Sequence, residues 1–193
     1  VSPHLDYFKT HDIEVLYLVD PLDGFMVQGL REFEGKPLKN VDDADLQLPE
    51  AQSPAEEAAT SVEQEAFGTL IERFKQVLGD RVTDVRASKL LRDSPCRLVS
   101  PESGPEQDLQ RVRRLIEQDF ELPPKILELN RSHPLIQNLA HLIKTQSGSD
   151  LIEPAIEQLF ANLQLLEGVY PNPAEMVPRI QKLLEAATGN KNA

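Results

Sequence analysis

His4, His11, His133 and His141 are the chain's four histidines, and no pair of them stands at the spacing of a metal-binding helix face or of an HExxH site. His133 precedes Pro134 at a helix start, where capping or exposure is the expected role. Asp42-Asp43-x-Asp45 has the look of a calcium loop but lacks the downstream Gly and the bidentate Glu that such a loop needs. Glu56-Glu57 is a carboxylate pair in a solvated stretch, with nothing beside it to shift a pKa. Cys96 lies in the β-prone run Cys96-Arg97-Leu98-Val99, so it reads as a small buried apolar residue and not as a nucleophile. The 9 glycines do not cluster into a phosphate-cradling loop or a GxGxxG turn. The sequence therefore predicts no catalytic residue, no metal site and no enzymatic activity confined to these residues.

What remains is a chemistry of apolar surfaces. Ile152, Ala155, Ile156, Leu159, Phe160, Leu163 and Leu166 recur at the three-and-four spacing of one helical face, and Met176, Val177, Ile180, Leu183, Leu184 and Ala187 repeat the pattern. Between them, Gly168 can take a left-handed conformation past a helix end. Asn172, Pro173 and Glu175 then supply an N-cap, a first-turn proline and a capping-box acid. Two facing helices bury only the faces they share, and these stripes are wide. The expectation is an intermolecular four-helix bundle from two chains, with Leu159, Phe160, Leu163, Leu166, Met176, Ile180, Leu183 and Leu184 in the seam. Pro154 fits a first helical turn, whereas Pro178 should bend the second helix.

The rest of the chain must position that hairpin. At 193 residues the length suits one or two domains, and 40% hydrophobic residues suffice for a core. A net charge of −12, from 20 basic and 32 acidic residues, argues against nucleic acid and anionic membranes as partners. No apolar run approaches the about 18 residues of a membrane span, and the start is not signal-like. With a single cysteine, this points to a soluble cytoplasmic protein. The start at Val1-Ser2-Pro3, without Met, reads as a piece of a longer protein.

Residues 1–41 read as the end of an α/β unit. A short helix follows Pro3, a buried strand covers 14–19, and Asp20-Pro21-Leu22-Asp23 opens a helix to Leu30 carrying Phe25, Met26 and Val27. A turn at 34–37 then leads to a strand over 38–41. Residues 42–61 hold Asp42, Asp43, Asp45, Glu50, Glu56 and Glu57 with no Lys or Arg, together with Pro49 and Pro54. They form an acidic linker or helix approach and mark the domain boundary. In 62–193 the stripe Phe67, Leu70, Ile71, Phe74, Val77 and Leu78 predicts a helix. Strands follow at 82–90 and, as its neighbour, 96–100, with a third at 125–130. An amphipathic helix fills 105–120 through Leu109, Val112, Leu115 and Ile116, a helix covers 135–144, and the hairpin closes the chain. The fold class is α+β: an α/β/α tail, then a small sheet with helices.

The stretches SPHLDYFKTHDIEVLYLVDPLDGFMVQGL and EFEGKPLKNV resemble the closing segment of the middle domain of bacterial HtpG-type chaperones, the ninety-kilodalton heat-shock protein family. LGDRVTDVRASKLLRDSPCRLVS, ILELNRSHPLI and the helical pair resemble that family's C-terminal dimerisation domain. The resemblance spans nearly the whole chain, apart from the linker and 101–124. It implies a homodimeric, ATP-dependent, stress-induced chaperone for unfolded client proteins. ATP and Mg²⁺ would be bound by an upstream domain, so that this part has no ATPase activity and needs no cofactor. It also implies client binding at Phe25, with Gln28 one turn on, and at Leu109, Val112 and Ile116 of the 105–120 helix. That helix departs from the family pattern in lacking methionines and carrying Arg111, Arg113 and Arg114. A monomeric α+β domain with both stripes turned inward is the alternative, as is a regulatory or interaction module attached to an α/β enzyme.

Overall fold

The computed structural model describes residues 3–20, 23–44, 46, 62–101, 123–169 and 172–189. Pro3–Leu5 forms a 3₁₀ turn that runs into helix α1 (Asp6–Thr10), and Tyr7 and Phe8 are buried there. Helix α2 (Asp23–Gly29) is opened by Asp23, whose carboxylate accepts from the Asp20 amide at 2.9 Å, half of a capping box.

Two expectations for this region are overturned. Residues 14–19 are not a strand: among the described residues nothing pairs with them, and Leu16, Tyr17, Leu18 and Val19 are exposed, Val19 at 89%. β-propensity favours an extended backbone, but a strand exists only once its N–H and C=O groups find a ladder. The strand expected over 38–41 is replaced by an earlier hairpin, β1 (Glu32–Phe33) against β2 (Lys36–Pro37). Its two-residue loop has φ of 51° at Glu34 and 74° at Gly35, the positive pair of a type I′ turn. The Leu38 amide then donates to the Arg31 carbonyl, extending that hairpin and no other strand.

The larger sheet joins β3 (Val82–Ala87), β4 (Cys96–Val99) and β5 (Lys125–Leu129) in the order β3-β5-β4. The expected neighbours β3 and β4 are thus separated. β5 lies between them, parallel to β3 with Val85 opposite Leu127, and antiparallel to β4 with Leu98 opposite Leu127. β5 takes the central place, its backbone paired along both edges, and its Leu127, Glu128 and Leu129 are buried. β3 also stops at Ala87, short of Leu90. There the Ser88 hydroxyl accepts from the amides of Leu90 and Leu91 and turns the chain.

Period-two alternation splits the sheet's faces. Val85, Cys96, Leu98, Leu127 and Leu129 point into the core, where helix α3 (Gln64–Leu78) adds Phe67, Leu70, Phe74 and Leu78. Helix α4 (Pro134–Thr145) adds Ile136, Leu139 and Ile143. It begins where His133 Nδ1 accepts from the Leu135 amide at 3.1 Å, the capping role expected of that residue. Cys96 is buried, and burial pushes its thiol up to about 12, so it is an inert core group.

The opposite face carries charge. Glu128, fully enclosed, accepts from Arg97 Nε at 2.8 Å, from Arg86 Nε at 3.0 Å and from the Ser88 hydroxyl at 3.0 Å. Arg86 also donates to the Ala44 carbonyl at 2.6 Å, and the Ser100 amide donates to the Asp42 carbonyl at 3.0 Å. Residues 42–44 therefore lie along the end of β4, with Asp43 bridged to Ser100. His4 reaches Asp42 at 3.1 Å in the same corner, and its burial outweighs the pull of that carboxylate and lowers its pKa.

Candidate functional site

The hairpin that the apolar stripes predict consists of α5 (Ile152–Leu166) and α6 (Met176–Gly189). Pro154 falls in the first turn of α5, as expected. A 3₁₀ turn over Pro173–Glu175 precedes α6, so α6 begins at Met176 and Pro178 also falls in a first turn. A proline there removes an N–H that has no helical acceptor in any case, and this is why no mid-helix break is needed. Between the helices Gly168 adopts φ of 68°, and its amide donates to the Leu165 carbonyl while Val169 donates to Gln164. Asn172 does not cap with its own oxygen; its side-chain amide donates instead to Glu175 at 3.0 Å.

Three polar ties seat the hairpin on the body. Arg81 donates to Glu157 of α5 and to the Leu78 carbonyl that ends α3, and its guanidinium lies 5.4 Å from the Phe160 ring centre. Lys125, at the start of β5, pairs with Glu167 at the C-terminal end of α5 at 2.9 Å, offsetting a carboxylate at the negative end of the helix dipole. Lys182 of α6 pairs with Asp150 at 2.8 Å, and this holds the Asp150 carboxyl below its usual range.

Burial divides the residues expected in the seam. Leu159, Phe160 and Leu163 face the chain's own core, and Met176 is covered at the base of α6. Leu183 is half-buried. Leu166 (63% exposed), Ile180 (39%) and Leu184 (58%) remain outside, joined by Leu165 and Val177. Of the described α6 residues only Met176 is buried. The wide stripe of α5 is thus used largely within one chain, whereas that of α6 is not.

The expected client residues are distributed otherwise. Phe25 and Gln28 belong to α2, and their side chains lie outside the described residues, as do Leu109, Val112 and Ile116 altogether. Near Phe25 in sequence, Met26, Leu30 and Phe33 are exposed. Two features went unread in the sequence. One is the Arg86–Glu128–Arg97 cluster, whose signal is a charge alternating with apolar residues in each strand. The other is Gln158, a buried amide in an apolar stripe.

An open cavity of about 440 Å³ lies between α3 and the hairpin, lined by Arg73, Asp150, Glu153, Glu157, Arg179 and Lys182. Its acids match its bases, so it makes no cradle for the phosphates of a nucleotide. Among the described residues no group of three His, Cys, Asp or Glu side chains could hold a metal ion. No described helix is long and apolar enough to cross a membrane.

The family model described as Hsp90 protein matches residues 1–193. The chain is 37% identical over 189 residues to the chaperone protein HtpG of Chlorobaculum tepidum, covering 96% of this chain and 29% of that protein. It is 35% identical over 190 residues to the HtpG of Nitratidesulfovibrio vulgaris (96% and 30%) and 38% identical over 188 residues to that of Desulfitobacterium hafniense (96% and 30%). The chain spans about three tenths of the length of the curated relatives it matches.

Proposed function

The chain belongs to the Hsp90 protein family, and from that premise we propose that it is the self-associating and client-contacting portion of a cytoplasmic protein-folding chaperone. The observation that carries the reading is α6, whose Val177, Ile180 and Leu184 form an exposed stripe beside Leu165 and Leu166. A helix with one apolar face left in water is under-covered, and a second copy presenting the same face buries both. Holding two chains at one end raises the effective concentration of their other ends. A nucleotide-driven clamp elsewhere in the longer protein can then cycle without the pair separating. ATP and Mg²⁺ belong to that other part, since the charge-balanced cavity here does not fit them and no step of this part's work runs through them.

In the same reading, clients meet α2 through Phe25 and Gln28 and the 105–120 segment through Leu109, Val112 and Ile116; among the described residues, Met26, Leu30 and Phe33, close to Phe25 in sequence, are exposed. The domain division proposed is 1–41, a linker over 42–61, and 62–193. The hydrogen bonds of 42–44 to Ser100 and Arg86 make the start of that linker a docked segment.

A second reading has support in the inward burial of Leu159, Phe160, Leu163 and Met176: a monomeric α+β module whose hairpin is complete in one chain. Sedimentation over a dilution series decides between them. A mass of two chains at micromolar concentration supports self-association; one chain throughout supports the monomeric module.

A further inference from the structure

Leucines alone do not tell two helices where to meet. An apolar stripe can contact its copy at several offsets, one turn apart, with similar burial. A polar side chain within the contact breaks that degeneracy, because most offsets strand its donors without partners.

α5 carries a linked amide pair of which one member is buried in its own chain and the other is exposed. Among the described residues of the hairpin, Gln158 is the one buried polar side chain, in a helix otherwise buried through Ile152, Ile156, Leu159 and Leu163. Its Nε2 donates to Asn162 Oδ1 at 2.8 Å, and its Oε1 faces Arg179 Nε of α6 at 3.5 Å. Gln158 thereby turns the oxygen of Asn162 toward itself and sets how that amide sits. Asn162 is exposed and stands three and four residues before Leu165 and Leu166, so it interrupts the outward apolar face of α5 at a defined place.

We propose that the Gln158–Asn162 pair fixes the register in which a second copy of this chain docks on the α5–α6 face, a proposal that rests on the self-association reading above. Two arguments select a second copy as the occupant. A primary amide is both donor and acceptor, so a patch containing one is complementary to itself across a two-fold axis, where a charged side chain would meet its like. Each chain also carries a net charge of −12, so copies repel except where they meet through uncharged surface. Asn162, Leu165, Leu166, Val177, Ile180 and Leu184 are such a surface. The offset that places each Asn162 against an acceptor or bridging water is kept, and those that bury a bare amide are not.

The test uses the full chain with a spin label at Glu72→Cys, an exposed α3 position off the α5–α6 hairpin; Cys96, buried with its thiol pKa pushed up, does not compete for the label. The label reports interchain distances, and native mass reports stoichiometry. The parent is expected to show one narrow distance in a two-chain species. Asn162→Leu should associate at least as tightly but give several distances or higher oligomers, and Asn162→Gln, which keeps an amide, should restore the single distance. A single unchanged distance in Asn162→Leu overturns the register role while leaving self-association standing. A one-chain mass with no interchain distance in the parent overturns both.

Discussion

Replacing Leu184 by Glu separates the two-chain account from the one-chain account because Leu184 does little in the isolated chain. It is 58% exposed, and a polar substitution at such a site shifts stability by about 0.5 kcal/mol or less. In a seam, the exposed part would be buried. Full burial of a leucine side chain contributes about 1.5–3 kcal/mol, so that fraction amounts to about 0.9–1.7 kcal/mol per chain and about 1.7–3.5 kcal/mol per pair. At 1.4 kcal/mol per tenfold, the dissociation constant should rise roughly fifteen- to three-hundred-fold from lost apolar contact alone, with the unpaired carboxylate adding to it. Sedimentation velocity at matched concentrations, alongside thermal melting by circular dichroism, reads both quantities. The expected result is dissociation with a melting temperature close to that of the parent fold. Leu163→Glu is the contrasting variant: Leu163 lies in the chain's own core, so its substitution should unfold the chain as well as dissociate it. Dissociation by Leu163→Glu but not by Leu184→Glu would refute the assignment of the seam to the exposed face of α6.

Glu128→Ala should destabilise the fold by about 3–5 kcal/mol, since it leaves Arg97, 2% exposed, as a buried cation without a counter-charge; chemical denaturation measures it. His4 titrates below its ordinary 6.5 because it is buried, so as pH falls the unfolded chain takes the proton first. Its contribution to stability is full above about 6.5 and declines as pH drops below it. The melting-temperature advantage of the parent over His4→Gln should therefore shrink between pH 7.5 and 5.5, and a constant difference would count against it. Phe25→Ala should weaken suppression of aggregation of an unfolded model protein while leaving the melting curve unchanged. Equal suppression by variant and parent would remove Phe25 from the client surface.

The described helices were legible in the sequence because their apolar residues repeat at 3.6 and their ends carry signals. Phe67, Leu70, Phe74 and Leu78 are all buried as that period requires, His133-Pro134 starts α4, and Gly168 turns the hairpin. Strand pairing was not legible, because period-two alternation orients side chains but does not name a partner. β5 inserts between β3 and β4 through a parallel pairing with a strand some forty residues earlier, Val82 opposite Lys125, and no local turn signals it. The run at 14–19 shows the same limit, having every composition cue of a strand and no ladder among the described residues. The candidate surface was half legible. The periodicity identified the stripe on each hairpin helix, but whether Leu163 or Leu184 meets the chain's own core depends on how the hairpin lies on α3 and β5. Arg81, Lys125 and Glu167 set that arrangement from distant parts of the sequence.

The central claim is that the uncovered face of α6 belongs against a second copy. Molar mass measured by light scattering or sedimentation on the unmodified chain, from tens of micromolar down to nanomolar, tests it without any substitution. The account predicts about twice the 21.7 kDa chain mass over the upper part of that range, with dissociation confined to its dilute end. A single-chain mass at every concentration would contradict it.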